Sequence, residues 1–380
     1  MKKCFFKNDF MIDFTASLYL GMQHSSAELE GWSQLTTGKP SALFEPPQSK
    51  KLASKIANLQ GLEAGYIAPS TLHLYYDLHS FLSQQKVMVF IDEKVYPVSK
   101  YGIEKLYLNN IAVHPFRHQD AAHLVQLVNT KIKKRYQPVV ITDGWCPQCG
   151  RPAPLDLYAE ILKPYGGFII VDDTQAMGIF GKRNSQQGYG SGGGGILQWL
   201  NVSAPNVICI SSLAKGFGVP LAAISGSASF IDLFKTKSQV MECSGPPGLV
   251  HLAAGLHALQ INKYNGDKRR AQLFKNVSMM KMLLNAKGVR LNGGVFPVQS
   301  LNFNGVNKAD AVYNNLLKDG IETVLTAGHK KAETAVTFII TSKHTRDEIE
   351  HAVFCVGKVL VGNVYPGYKL KPFISFNNIG

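Results

Sequence analysis

What most constrains this chain is the regularity with which short apolar runs alternate with helical segments between residues 62 and 173. EAGYIAP reads as a strand, STLHLYYDLHSFLSQ as a helix and KVMVFID as a strand. SKYGIEKLYLNN then has helical spacing, IAVHPF strand character and DAAHLVQLVNTKIK helical spacing again. PVVITDG, LDLYAEILKPYGG and FIIVDD continue the order. Alternation of this kind marks βαβ units, whose crossovers make the strands parallel and put helices on both faces of the sheet. The strands are nearly continuous in β-branched and aromatic residues, as strands covered on both sides must be. The expected fold class is therefore α/β, with a mostly parallel central sheet. Ligands of such sheets bind beyond the carboxyl ends of the strands. Asp143, Asp172 and the loop around Lys215 fall there.

The flanks are read differently. The first 45 residues carry turn signals and one strand-like piece, TASLYLG, and QSKKLASKIANLQG is a helix stopped by glycine. Beyond Pro246-Pro247, residues 248–286 form a long helix or a broken pair. An α+β pattern follows: VQSLNFN, KADAVYNNLLKDG, AVTFIIT and TRDEIEHAVFCVGKVL. The expected division is an N-terminal segment of the small domain (1–45), a large domain (46–250), a C-terminal small domain (251–362) and a tail (363–380).

Composition narrows the function classes. A net charge of +14 raises nucleic acid as a partner, but the basic residues are scattered and cluster only at 131–135 and 268–270. Without a basic groove interleaved with aromatics, no nucleic-acid role is expected. A basic rim suits phosphate, coenzyme A or an acidic carrier protein better. No apolar run has transmembrane length. Lys7, Asp9 and Asp13 break the first apolar stretch, so neither a signal peptide nor a membrane partner is expected. Six cysteines over 380 residues do not make a disulfide framework, which points to the reducing cytoplasm.

The chemistry is concentrated in FIIVDDTQAMG (168–178) and ISSLAKGFGVP (210–220). A lysine after an apolar strand is partly desolvated, which makes its amine nucleophilic at neutral pH. A carboxylate at a neighbouring strand end can keep a pyridine nitrogen protonated. Lys215 and Asp172 together are what a protein needs to hold pyridoxal 5'-phosphate, with Ser212 placed for the phosphate. Two further motifs are read as bystanders. CPQC (146–149) lies in a proline-flanked loop rather than opening a helix, and no second cysteine pair completes a metal site; its cysteines are taken as incidental and no metal is expected. GYGSGGGG (188–195) does not follow a strand directly, so it is read as a flexible loop near the substrate mouth rather than a dinucleotide site.

With these segments in view, the chain resembles the α-oxoamine synthases, a family that includes 8-amino-7-oxononanoate synthase and serine palmitoyltransferase. SLYLG, LEAGYIAPS, FIDEKVYPVS, DGWCPQCGRPAPL, VDDTQAMGIFG, ISSLAKGFGVP, SGPPG and FIITSKHTRDEIE carry the resemblance over nearly the whole chain. It implies a fold-type-I transferase (aspartate-aminotransferase-like) that is a homodimer. Lys215 would join the cofactor covalently and Asp172 would pair with its ring nitrogen. Ser212, with a Gly65–Tyr66 turn, would bind the phosphate, and Ser244 would reach the phosphate of the second subunit. Tyr96 stands where the family stacks a histidine, Asp143 where it has a motif glutamate, and Gln175 where a second histidine is usual. Thr337 replaces the arginine that grips a substrate carboxylate, and His329, Lys330 and Lys331 are offered as substitutes. The implied reaction joins an amine or amino acid to an acyl thioester on coenzyme A or a carrier protein. A transaminase with an unusual substrate and a non-catalytic relative are the alternatives.

Overall fold

The computed structural model describes residues 11–185, 187–202, 206–328 and 333–361. His329, Lys330, Lys331 and the tail after residue 361 lie outside them. In chain order the first half comprises β1 (Ile12–Asp13), α1 (Pro47–Gln60), β2 (Ala64–Ala68), α2 (Thr71–Leu82), β3 (Val87–Asp92), α3 (Glu104–Leu108), β4 (Val113–Phe116), α4 (Ala121–Lys131) and β5 (Gln137–Asp143). The hairpin β6 (Trp145–Cys146) and β7 (Arg151–Pro152) precedes α5 (Leu155–Leu162), β8 (Phe168–Asp172), α6 (Ile196–Leu200), β9 (Val207–Ser212) and β10 (Ala222–Gly226). Then come α7 (Ala228–Thr236), α8 (Gln239–Cys243), α9 (Leu249–Ala286), β11 (Val298–Asn304), α10 (Val306–Lys318), β12 (Ile321–Glu322), β13 (Val324–Ala327), β14 (Glu333–Ile339) and α11 (Arg346–Val361).

Seven strands form the central sheet in the order β2-β10-β9-β8-β5-β3-β4. β10 runs antiparallel to both neighbours, while the pairs from β9 to β4 are parallel. The expected parallel sheet is present, and β10 is the element the alternation did not announce. Because side chains alternate along a strand, Ile169 and Val171 of β8 face one core and Ile170 faces the other. Asp172 therefore continues the Ile170 side, and Asp173 turns to the opposite face.

Residues 249–286 form one unbroken helix, settling the choice between one helix and two. No proline interrupts it. Gly255 lets it approach α1, since a Cβ there would come within 2.5 Å of Leu52. The later strands make a separate antiparallel sheet, β11-β14-β13, while β1 pairs in parallel with β12. The early strand is thus Ile12–Asp13, not TASLYLG, whose Tyr19 and Leu20 instead form a buried turn. Among the described residues no helix is long and apolar enough to cross a membrane.

Candidate active site

The parallel strands end side by side at one edge, and register sets which side chains meet there. Asp143 closes β5 opposite Asp172 at the end of β8, and Asp172 pairs with Ile210, two residues before Ser212. Asp172 is buried. Its Oδ1 accepts the Thr174 backbone N–H at 3.0 Å, and its Oδ2 accepts the hydroxyl of the fully buried Tyr75 at 3.1 Å. Asp143 accepts the backbone N–H of Tyr96 on both oxygens, at 3.2 and 3.0 Å. Burial, and the Asp172 charge beside it, push the Asp143 carboxyl well above its ordinary range. Neighbouring carboxyls out of water are relieved when one keeps its proton or when a cation binds beside them.

Lys215 lies beyond β9, in the loop leading to β10. Burial lowers the pKa of its amine, against the pull of Asp172 and Asp143, which favour the charge. Its Nζ stands 5.6 Å from the centroid of the Tyr96 ring, and that ring is 58% exposed. A partly desolvated amine, an aromatic face still open and a buried carboxylate pair suit a flat cationic heteroaromatic ring carrying an aldehyde. The Gln175 side-chain oxygen accepts the Tyr19 hydroxyl at 2.8 Å. Its amide N–H donors face away from that bond and can serve an acceptor such as a ring hydroxyl.

The phosphate end needs a correction. Gly65 and Tyr66 do not form a turn: they lie inside β2, paired with Ser225 and Ile224 of β10. Ser225 in turn pairs with Cys209, three residues before Ser212, so Gly65 is roughly 10 Å back along the sheet from its carboxyl edge. Tyr66 is buried in the core. The real turn is Pro69–Ser70, after which α2 begins at Thr71. Ala222 pairs with Ala68 on one side and with Ser212 on the other, so the start of α2 and Ser212 share the carboxyl edge. A helix N-terminus offers unpaired N–H groups and a positive dipole end to an anion. Ser212 lies at that edge: its N–H bonds Thr174 Oγ1 at 2.9 Å and its Oγ accepts the Ala214 N–H at 3.3 Å. Ser244 caps α8, and its hydroxyl donates to Val240 O at 2.7 Å.

Sequence reasoning missed Tyr75, Tyr19, Thr174 and Ser70. Ser70 had a local signal, a serine just ahead of an apolar helical run, and Thr174 sits within the VDDTQAMG segment without having been given a role. The two tyrosines reach the site from distant segments: Tyr19 lies in SLYLG, which carried the resemblance but no role, and Tyr75 lies in no motif.

The glycine-rich loop is also corrected. Gly193, Gly194 and Gly195 are buried and packed. The Gly178 N–H donates to Gly193 O, and the Gly195 N–H to Phe180 O. Asp173 faces this loop and accepts the Ile196 N–H at 3.0 Å at the start of α6. Arg270, 1% exposed, donates to Gly178 O at 2.9 Å and pairs with Asp267, whose Oδ1 accepts the Gly192 N–H. The glycines are needed for positive φ and close approach, and they build a fixed wall. Thr337, in the arginine's place, is buried in β14 and bonded to the hydroxyls of Ser300 (2.9 Å) and Thr326 (2.8 Å). His344 is structural: it stacks on Phe14 at 4.2 Å and bonds Asp13 O.

A doubly covered sheet with lysine, aspartate and an anion-ready helix start at its carboxyl edge defines a fold-type-I transferase. Residues 11–354 match the aminotransferase class I and II family, and the chain belongs to that family of pyridoxal-phosphate-dependent enzymes. The chain is 27% identical over 324 residues to 8-amino-7-oxononanoate synthase 2 of Bacillus subtilis, covering 84% of this chain and 77% of the relative. In fold it is similar to 8-amino-7-oxononanoate synthase of Francisella tularensis (TM-score 0.73, 22% identity, 92% and 98% covered). It is likewise similar to serine palmitoyltransferase of S. paucimobilis with a bound PLP–myriocin aldimine (TM-score 0.78, 15% identity, 90% and 86% covered).

Proposed function

We propose that this chain is an α-oxoamine-synthase-like acyltransferase that joins an amine or amino acid to an acyl thioester. The observation that carries the reading is the Lys215 amine, 5.6 Å from the centre of the Tyr96 ring and within the electrostatic reach of Asp143 and Asp172, at the carboxyl edge of the sheet. Bound pyridoxal phosphate would supply an electron sink for the bond broken at the substrate's α-carbon. The protein's own residues do the rest. Lys215, held with a lowered pKa by burial, can take a proton from that carbon and return it. Asp172 is fixed by Tyr75 and the Thr174 N–H, so its charge is aimed before the substrate arrives. Gln175 offers its amide N–H groups to the ring hydroxyl, while Ser212 and the α2 N-terminus take the phosphate.

Thr337 shapes the choice of substrate. Its hydroxyl is engaged by Ser300 and Thr326, and a neutral hydroxyl cluster does not form the two-pronged charged clamp an α-carboxylate favours. We read the preferred nucleophile as an amine whose carboxylate is absent or held elsewhere. The same reading makes the protein a homodimer. The Ser41 N–H bonds Ser244 O and the Leu249 N–H bonds Leu35 O, so the Ser244 turn is tied to a segment that exposes Trp32, Leu35 and Leu43. An apolar surface there suits a subunit contact, and a monomer by sedimentation would rule it out.

The test is a panel of amines and amino acids, each mixed with the cofactor-loaded protein with and without acyl-CoA. The expected result is product and free thiol only when both reactants are present, with simple amines outperforming α-amino acids. Conversion of the cofactor to its aminated form without thioester, at a rate matching product formation, would assign the protein to the transaminases instead.

A further inference from the structure

The Cys146/Cys149 pair, read from sequence as incidental, does not stand alone. The chain folds His118, from the loop between β4 and α4, against the β6–β7 hairpin that carries both cysteines. One nitrogen of His118 and both sulfurs all lie within 4.8 Å of one another, with Nε2 3.1 Å from Cys149 Sγ. Tetrahedral zinc with two thiolates and an imidazole would separate its donor atoms by about 3.6–3.8 Å. The three donors therefore need only sub-ångström to ångström adjustments to close on an ion.

Their surroundings are already organised. The fully buried Asp92 at the end of β3 bonds His118 Nδ1 at 2.8 Å, so in the neutral ring the proton belongs on Nδ1 and the Nε2 lone pair points at the sulfurs. The same carboxylate accepts the N–H groups of Lys94 and Gln119, each at 2.9 Å, which fixes its orientation. A carboxylate holding the far nitrogen of a histidine is how metal-ligating histidines are aimed and made more basic. Gln119 and Arg151 exchange side-chain and backbone hydrogen bonds at 2.8 and 3.3 Å, stitching the His118 loop to the hairpin. Within the hairpin the Cys149 N–H points at Cys146 Sγ at 3.3 Å, a contact that supports negative charge on sulfur.

We propose that His118, Cys146 and Cys149 form a zinc site whose fourth position is left to water. Two sulfurs and one nitrogen are a donor set that favours zinc over calcium or magnesium, which take oxygen ligands. Cys149 is only half-buried, so water can reach the open position. Zinc here would pin the hairpin that starts two residues after Asp143, and so brace the carboxyl edge from outside the cofactor pocket.

The test uses the full-length protein, purified under reducing conditions and measured by elemental analysis, then stripped and titrated with Co(II). One zinc per chain is expected, together with the visible and near-ultraviolet bands of tetrahedral thiolate-bound cobalt. The single variants His118→Ala and Cys149→Ser should each weaken metal retention by tenfold or more, while the cofactor absorbance and far-ultraviolet spectrum persist. Should a variant fail to fold, release of zinc from the wild-type protein by a thiol-specific mercurial gives the same information. Binding of no zinc or cobalt by the reduced wild-type protein would overturn the proposal. So would undiminished metal in a folded Cys146→Ser/Cys149→Ser double variant, or recovery of the two cysteines as a disulfide that reductant does not open to metal.

Discussion

At the scale of single residues, the site is governed by how two carboxylates tolerate each other. The Asp143 carboxyl has its pKa raised above the ordinary 3.8 by burial and by the neighbouring Asp172 charge. In the cofactor-free protein the folded state therefore holds a proton on Asp143 that the unfolded chain releases. By linkage, this contribution is fully present below the unfolded value of 3.8 and is lost as pH rises through the raised folded value. Asp143→Asn keeps an oxygen for the Tyr96 N–H and removes the charge. Relative to the wild type, the cofactor-free variant should gain melting temperature steadily as pH climbs from 3.8. A wild-type-minus-variant difference that is flat with pH would show that the Asp143 charge is not strained. The residue pair that names the cofactor, Lys215 and Asp172, was legible because each follows an apolar strand at the sheet's carboxyl edge. Tyr75, which bonds Asp172, was not, because nothing local distinguishes it from the other apolar-face residues of α2.

At the scale of elements, the alternation of strands and helices was readable because buried parallel strands need continuous apolar runs. β10 was not, because AAISG in this position reverses direction without changing composition. That reversal decides which end of β2 meets Ser212, and with it which residues stand beside Ser212 at the carboxyl edge. The strand was expected where it is, but the turn was placed at Gly65–Tyr66, inside the strand, instead of at Pro69–Ser70. The glycine-rich loop shows the same limit from the other side. A run of glycines suggests mobility, whereas here Asp267 accepts the Gly192 N–H and Asn262 donates to Gly192 O, while Asp173 holds the Ile196 N–H just beyond the run. Gly195 has φ +85°, and a Cβ there would fall 1.9 Å from Asp173 Oδ2. Gly195→Ala should therefore destabilise the fold by on the order of 3 kcal/mol, read as a shift in denaturation midpoint with unchanged slope. A cost below about 0.5 kcal/mol would mean the wall is loose.

At the scale of the whole molecule, five segments converge on one edge. The turn around Tyr19, the start of α2, the ends of β5 and β8, and the Lys215 loop each contribute one part of the site. None of these parts is sufficient alone, which is why the cofactor was easier to read from sequence than the substrate. The cofactor reading rests on a few strand-end positions, while the proposed substrate preference rests on a remote position, Thr337, whose hydroxyl is engaged by Ser300 and Thr326. The most direct test of the central claim is to load the purified protein with pyridoxal phosphate, reduce it with borohydride and map the modified peptide by mass spectrometry. The account predicts a single phosphopyridoxyl group on Lys215 and none in Lys215→Ala. A protein that takes up no cofactor, or one labelled equally on surface lysines, would contradict it.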